Sequence, residues 1–393
     1  MKSARTHHYL FTAKNTRPIP KDITIQTMIK EPIPLWIDTD TSGLVWSGLD
    51  CDDDLAVLAA LALHKRQIIS LDGISICGGN APLFHTWKDI LALWKHADGF
   101  QITNMQPVKG YGWRSMQVAV SWLSWYNRVR PDEMDSENAS IAIIERSRDK
   151  SLDPVHILML GPPTNLARAI DSDLLDQSGI SHVYLMGGEL THQQLDLNFR
   201  TDRASARTII EESNIPTTVI TIQTCAQTIV TESYLERLDC PSVAACALLP
   251  KMKQQIKLMP RFVNQAVKKR CTIDGPWRPS PNLDSGFIPW DLVALLAITH
   301  EEEFIEWKYH RVSIPPCDDR IGEPCDSTMI INEDFGETFD GRDWKGVVRI
   351  PHKVRDEEKL LDVMQWSQRH LNSLLLCFLD SMARFYFRFV SVL

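Results

Sequence analysis

Short, nearly continuous apolar runs alternate along this chain with longer stretches of helical periodicity. Residues 34–40, PLWIDTD, form an apolar run that closes in two carboxylates. Residues 54–65, DLAVLAALALHK, then read as a helix rich in Ala and Leu. IISLDGISICGGN over 68–80 reads as a buried strand ending in glycine and asparagine, and HTWKDILALWKHA over 85–97 is helical again. The alternation resumes with VHILMLGPPTNLARAI (155–170), HVYLMGGEL (182–190), ASARTIIEES (204–213) and TTVITIQT (217–224). Apolar strands followed by helices predict an α/β fold, an open, mostly parallel sheet with helices on both faces. In such sheets ligands bind beyond the carboxyl ends of the strands. Here those ends read IDTD, GGN, LGPPTN and MGGEL.

Outside this region the pattern changes. Residues 1–31 are polar, lack an apolar stretch of the kind that directs secretion, and read as a disordered leader. The α/β pattern predicts one domain over 32–372, followed by an apolar tail at 373–393. The tail sequence LLLCFLDSMARFYFRFVSVL is near spanning length, but Asp380, Arg384 and Arg388 interrupt it. Such charges are costly at a bilayer centre, so a packed or interfacial helix is expected and no membrane span.

Composition narrows the partners. The 393 residues carry a net charge of −8, against the basic surface that nucleic-acid polymers require. No nucleic-acid polymer is therefore expected as a partner. Nine cysteines form no C-x-x-C pair, so buried thiols in a reducing, cytoplasmic setting are expected in place of disulfides or a zinc site.

The chemistry concentrates in carboxylates. Asp38 and Asp40 close the first strand on one face, and Asp52, Asp53 and Asp54 open the following helix. Helix capping and the helix dipole account for one or two of these, but not for five converging near one strand end. At ~5 Å and an effective dielectric near 20, each like-charged pair costs about 3 kcal/mol, which a bound cation or a shifted protonation relieves. Oxygen ligands without Cys or His favour calcium or magnesium over zinc.

Asp38-Thr39-Asp40 followed by Asp52-Asp53-Asp54-Leu55-Ala56 resembles the D-x-D … D-D-x-L-A signature of the inosine-uridine-preferring nucleoside hydrolases. Four further motifs follow in that family's order. They are Gly78-Gly79-Asn80, then Gly161-Pro162-Pro163-Thr164-Asn165, then Met186-Gly187-Gly188 with Asp196-Leu197-Asn198 and Asp202, and finally Pro289-Trp290-Asp291. The resemblance spans roughly 34–371 and implies a nucleoside-hydrolase, Rossmann-like fold, a small-molecule nucleoside substrate and hydrolysis of the N-glycosidic bond of ribonucleosides.

Carried over residue by residue, the resemblance implies a Ca2+ ion held by Asp40, Asp53, the carbonyl of Leu160 and Asp291. Asp40 would also be the general base that activates a calcium-bound water for attack on C1′. Asp52, Asn80, Asp196 and Asn198 would grip the ribose hydroxyls. Read without the resemblance, Asn80 supplies turn conformation, Asp196 and Asn198 cap a helix, and Asp291 is an ordinary N-cap. Trp290 stands where purine-preferring members keep tryptophan, which implies a purine preference and a role in nucleoside catabolism and salvage. Trp122 or Trp125, ahead of Trp113, would supply a second indole for a purine sandwich, although core packing is the ordinary use of any single tryptophan. Family members commonly form dimers or tetramers.

Four departures bear on this reading. The turn after Asp40 is about eight residues longer than the family's, so the D-D pair is either Asp52–Asp53 or Asp53–Asp54, with the Leu-Ala register favouring the first. Asp196 replaces a glutamate. The loop 189–195 lacks an asparagine for which Gln193 or Gln194 could substitute. Trp290 removes a histidine that other members keep. Two alternatives follow: a member whose longer loop has abolished catalysis, leaving a binding protein, and a haloacid-dehalogenase-type phosphatase in which DTDT supplies an Asp38 nucleophile.

Overall fold

A computed structural model describes residues 31–43, 51–99, 103, 105–112, 136–190, 195–237, 243–271, 278–316 and 327–369. Strand β1 (Ile33–Thr39) leads through the first turn into α1 (Asp52–Lys65), then β2 (Ile69–Ile76) and α2 (Leu83–His96). The short β3 (Val108–Lys109) precedes α3 (Asn138–Arg148), β4 (Val155–Met159), α4 (Thr164–Asp171), β5 (Ile180–Met186) and β6 (Thr217–Ile220). After the small β7 (Val230–Thr231) come the 29-residue α5 (Val243–Cys271), β8 (Gly286–Phe287) and α6 (Trp290–Thr299). Strands β9 (Phe304–Ser313), β10 (Ile330–Gly336) and β11 (Val347–Val354) and helix α7 (Glu357–Arg369) complete the described chain.

Nine strands form one sheet in the order β10-β9-β11-β6-β5-β4-β1-β2-β3. From β11 to β3 every neighbouring pair is parallel, while β9 pairs antiparallel with both β10 and β11. The expected open, mostly parallel sheet is thus present, with an antiparallel flank added by the C-terminal strands.

Both faces of the parallel strands are buried, which is why their sequences read as continuous apolar runs. Along β1, Leu35 and Ile37 enter one core cluster while Trp36 enters the other. Along β5, Tyr184 and Met186 join the first cluster and Val183 and Leu185 the second. The first cluster also takes in α1 and α6, whose residues from Leu55 to Leu61 and from Leu292 to Ile298 are all buried. A helix apolar on every side belongs inside a core. The consequence for the site is that the amino ends of α1 and α6 are held rigidly beside the end of β1.

Of the cysteines, Cys51, Cys77 and Cys225 are free and buried, as expected for these three. No helix among the described residues is long and apolar enough to cross a membrane. Residues 1–30 of the leader and the whole apolar tail at 373–393 lie outside the described residues.

Candidate active site

The chain leaves β1 at Thr39, and every side chain from Asp38 to Ser42 is buried. Asp38 is a brace. Its Oδ2 accepts hydrogen bonds from Ser75 Oγ at 2.5 Å and Asn165 Nδ2 at 2.6 Å, and Ser75 Oγ in turn accepts one from Trp36 Nε1 at 2.9 Å. Asn165 also donates to the Ile76 carbonyl and accepts from the Tyr111 amide. One amide side chain therefore ties the ends of β1 and β2 to the start of α4. Burial pushes the Asp38 carboxyl above the usual carboxylate range, against the hydrogen bonds from Ser75 and Asn165.

Asp40 lies one residue beyond the strand. Its Oδ2 accepts from the Asn80 amide at 2.6 Å, and its own amide donates to Asp53 Oδ1 at 3.2 Å. Two glycines make room for it. A Cβ on Gly79 would stand 1.8 Å from Asp40 Oδ2, and one on Gly161 3.0 Å from Asp40 Oδ1. Gly79 and Gly161 are thus demanded by the close approach of this carboxylate and not by a left-handed backbone.

Asp52, Asp53 and Asp291 come together. Each is buried, and one carboxylate oxygen from each lies within 4.8 Å of the others. Asp52 Oδ2 accepts from the Asp291 amide at the start of α6 (3.3 Å), while Asp53 accepts from Thr39 Oγ1 (2.5 Å) and Asn80 Nδ2 (2.9 Å). Asp54 turns the other way, to the Gly43 amide at 3.0 Å and to buried Asp89 of α2. Burial and the Asp89 carboxylate push the Asp54 carboxyl well above the ordinary carboxylate range. In space the adjacent carboxylates that meet Asp291 are Asp52 and Asp53. Asp40 is linked to this group through Asp53 and is not one of the three.

The fourth corner is built from the ends of β4 and β5. Asn198 Nδ2 donates to the carbonyl of Leu160 at 2.6 Å and to that of Met186 at 3.1 Å. Asp196 accepts from the amides of Gly188, Phe199 and Asn198 at 2.9–3.0 Å. Its carboxyl is pushed up to about 7, chiefly by burial and further by Glu189, against those three donors. Glu189 is a residue the sequence reading passed over. Buried after the Gly187-Gly188 turn, its Oε1 accepts from the amides of Leu195 and Asp196 and from Ser327 Oγ. It closes the loop that carries Asp196 and Asn198 and pins that loop to residues 327–329, whose Met329 amide donates to the Glu189 carbonyl at 2.7 Å. The signal available in the sequence was an acidic residue directly after two glycines at an apolar strand end. Trp290 opens α6, partly exposed, packed against the main core cluster. Trp113, Trp122, Trp125, Gln193 and Gln194 lie outside the described residues.

The electrostatics define what this arrangement can hold. Three buried carboxylates within 4.8 Å repel by about 3 kcal/mol per ionised pair at an effective dielectric near 20. The amino ends of α1 and α6 offset part of this, at most about 2 kcal/mol each. A divalent cation or bound protons must supply the rest. The donor set is all oxygen, and the Leu160 carbonyl lies on the Asn198 side of the same strand ends, so the residues fit a hard cation.

A family model described as inosine-uridine preferring nucleoside hydrolase matches residues 35–362. The chain belongs to that family. It is a nucleosidase acting on small-molecule ribonucleosides, and neither the phosphatase nor the non-catalytic reading is favoured. Solved structures share the fold. A purine-preferring ribonucleoside hydrolase from Gardnerella vaginalis superposes with a TM-score of 0.61 at 19% identity, covering 86% of this chain and 99% of its own. A plant nucleoside hydrolase gives 0.60 at 16% identity, covering 87% and 100%. The inosine-uridine preferring enzyme of Bacillus anthracis gives 0.56 at 15%, covering 86% and 99%. No curated protein sequence matches the chain.

Two outcomes follow for the enzyme. Gly79→Ala should displace Asp40, whose Oδ2 a Cβ at 79 would meet at 1.8 Å, and, if Asp40 is the general base the resemblance implies, lower kcat for nucleoside hydrolysis about 10²-fold, the cost of a displacement of about an ångström. An unchanged kcat would show that Asp40 does not need its observed position. The second concerns pH without divalent cation. Asp196 holds its proton more tightly folded than unfolded, so between the ordinary carboxylate range and about 7 the folded state is the more protonated. Its contribution to stability is present at low pH and is lost as pH rises through that window. Thermal melts in chelator should show Tm falling from pH 4 towards about 7, with a shallower slope in Asp196→Asn.

Proposed function

We propose that this nucleosidase hydrolyses purine ribonucleosides with a calcium ion at the carboxylate cluster and Asp40 as general base, serving nucleoside catabolism and salvage in the cytoplasm. The observation that carries the reading is the buried meeting of Asp52, Asp53 and Asp291 at the amino ends of two helices, with Asp40 one hydrogen bond away. Asp40, Asp53, Asp291 and the Leu160 carbonyl would hold the ion, and the geometry recommends Asp52 as a further oxygen donor. When bound, the ion neutralises these carboxylates and lends Lewis acidity to the water that attacks the sugar.

The remaining steps belong to side chains of this chain. Asp52, Asn80, Asp196 and Asn198 orient the ribose through its hydroxyls, and Asp196 and Glu189 keep Asn198 in place. Asp40 takes a proton from the attacking water, whose oxygen forms the new bond to C1′. The C1′–N bond breaks as positive charge develops on the sugar, and its electron pair leaves with the base, which takes up a proton. Binding energy from the hydroxyl contacts is available to distort the ribose towards that state. Trp290, beside Asp291 at the site, offers a flat apolar surface where an acid would otherwise stand. Stacking on one aromatic is worth about 1–3 kcal/mol, and a fused purine gains more than a pyrimidine by area and by stacking. Trp122 would complete a sandwich.

Purified protein incubated with inosine, guanosine, adenosine, uridine and cytidine, in calcium and then in chelator, tests the reading directly. Free base should appear with calcium and cease in chelator, and Asp40→Ala should lose more than ~10³-fold in kcat. Asp53→Ala and Asp291→Ala should chiefly weaken calcium and substrate binding. Full activity in Asp40→Ala would remove the mechanism. The purines should lead in kcat/KM, and Trp290→Ala should narrow that lead while leaving calcium affinity unchanged. Equal rates on inosine and uridine would remove the stacking argument.

A further inference from the structure

Helix α5 (Val243–Cys271) stands apart from the rest of the chain in charge. Within it are seven lysines and arginines and no Asp or Glu, although the whole chain carries −8, so the remainder is more acidic still. The orientation of the helix is fixed from its buried side. Leu248, Met252 and Val267 enter the core, and Gln255 Oε1 accepts from Cys51 Sγ at 3.1 Å, next to the start of α1. Asn264 Nδ2 donates to the carbonyls of Leu283 and Gly286 at 2.6 and 2.7 Å. The opposite side is consequently committed to solvent.

That solvent side is a basic stripe. Lys253, Lys257, Arg261, Gln265 and Lys268 are all exposed, spaced four, four, four and three apart, which aligns them along one helical face. Lys268 pairs with Asp284, while Lys253, Lys257 and Arg261 are in no ion pair among the described residues. At 1.5 Å per residue the stripe extends about 22 Å. It is fringed by half-buried Ile256, Leu258 and Pro260, and an open groove of about 580 Å³ runs between Lys257, Arg261 and Asp284.

We propose that this face of α5 docks the enzyme on an anionic phospholipid surface. Long, flexible lysines on a convex helix suit a diffuse negative charge that demands no matching shape. They suit a second copy of this chain poorly, since lysine is depleted in protein interfaces. They suit single-stranded nucleic acid poorly as well, since no aromatic side chain described on this stripe offers a stacking platform. The half-buried apolar fringe lets the stems of the lysines lie against the headgroup region while their ammonium groups meet phosphate. Because the attraction acts between solvent-exposed charges, it fades beyond a Debye length of about 10 Å in 0.1 M salt. The site itself remains free, because the stripe lies on the side of α5 away from Gln255 and Asp52.

The test uses the full-length protein and sedimentation with vesicles of phosphatidylcholine alone or of phosphatidylcholine mixed with phosphatidylserine. Each basic residue at such a surface strengthens adsorption about fivefold, so the triple variant Lys253→Glu, Lys257→Glu, Arg261→Glu should bind the anionic vesicles at least about a hundredfold more weakly. The wild type should leave them as salt is raised, and the variant should keep the wild-type Tm and rate of nucleoside hydrolysis. Undiminished binding by the variant overturns the proposal, because another segment is then responsible. So does equal adsorption to neutral vesicles, and so does failure of the wild type to bind anionic ones. Charge-dependent dimerisation or RNA binding without vesicle adsorption would assign the stripe to another partner and equally overturn it. If the triple variant does not fold, Lys257→Gln with Arg261→Gln replaces it, with an expected loss of about twentyfivefold.

Discussion

Three carboxylates held out of water within 4.8 Å of one another are the constraint around which this molecule is arranged. Left ionised and alone they would repel strongly, because the medium that screens them in solution has been removed. The fold answers with geometry. Two buried helices begin at the cluster, so the free amides and positive ends of α1 and α6 face it. Thr39, Asn80 and the backbone of Asp40 donate to Asp53, and the Asp291 amide donates to Asp52. What is left uncompensated is repulsion that a cation or bound protons would relieve, so the cluster is one that could hold a metal ion.

Around that centre, carboxylates of the same chemical type are sorted by what surrounds them. Asp38 is tied to Ser75 and Asn165 and holds two strand ends together. Asp54 is turned away to the Gly43 amide and to Asp89, and burial with the Asp89 carboxylate pushes its own carboxyl well above the usual range. Asp196 is occupied by three backbone amides, and Glu189 latches the loop that bears it. Asp52, Asp53 and Asp291 meet at the strand ends, with Asp40 hydrogen-bonded to Asp53 through its amide. The buried thiols of Cys77 and Cys225 complete the setting: burial and nearby carboxylates push both well above the ordinary thiol range, so they stay protonated beside the carboxylates.

The sequence determined the parallel half of the sheet, because strands buried on both faces must be apolar at every position, and β1, β4 and β5 read that way. It also placed acidic and glycine-rich motifs at the carboxyl ends of those strands, the edge where parallel sheets bind ligands. It could not decide which two of Asp52, Asp53 and Asp54 face Asp291. Adjacent residues on a helix point about 100° apart, and only the packing of α1 against α6 and α7 sets the rotation. The latch at Glu189 and the brace at Asn165 depend on partners 138 and 127 residues away in the chain. The antiparallel flank likewise arises from the return of β9 to β11, and the outward face of α5 from the side of that helix the core happens to cover. Local pattern fixes which residues can be buried or charged; long-range packing alone fixes which of them meet.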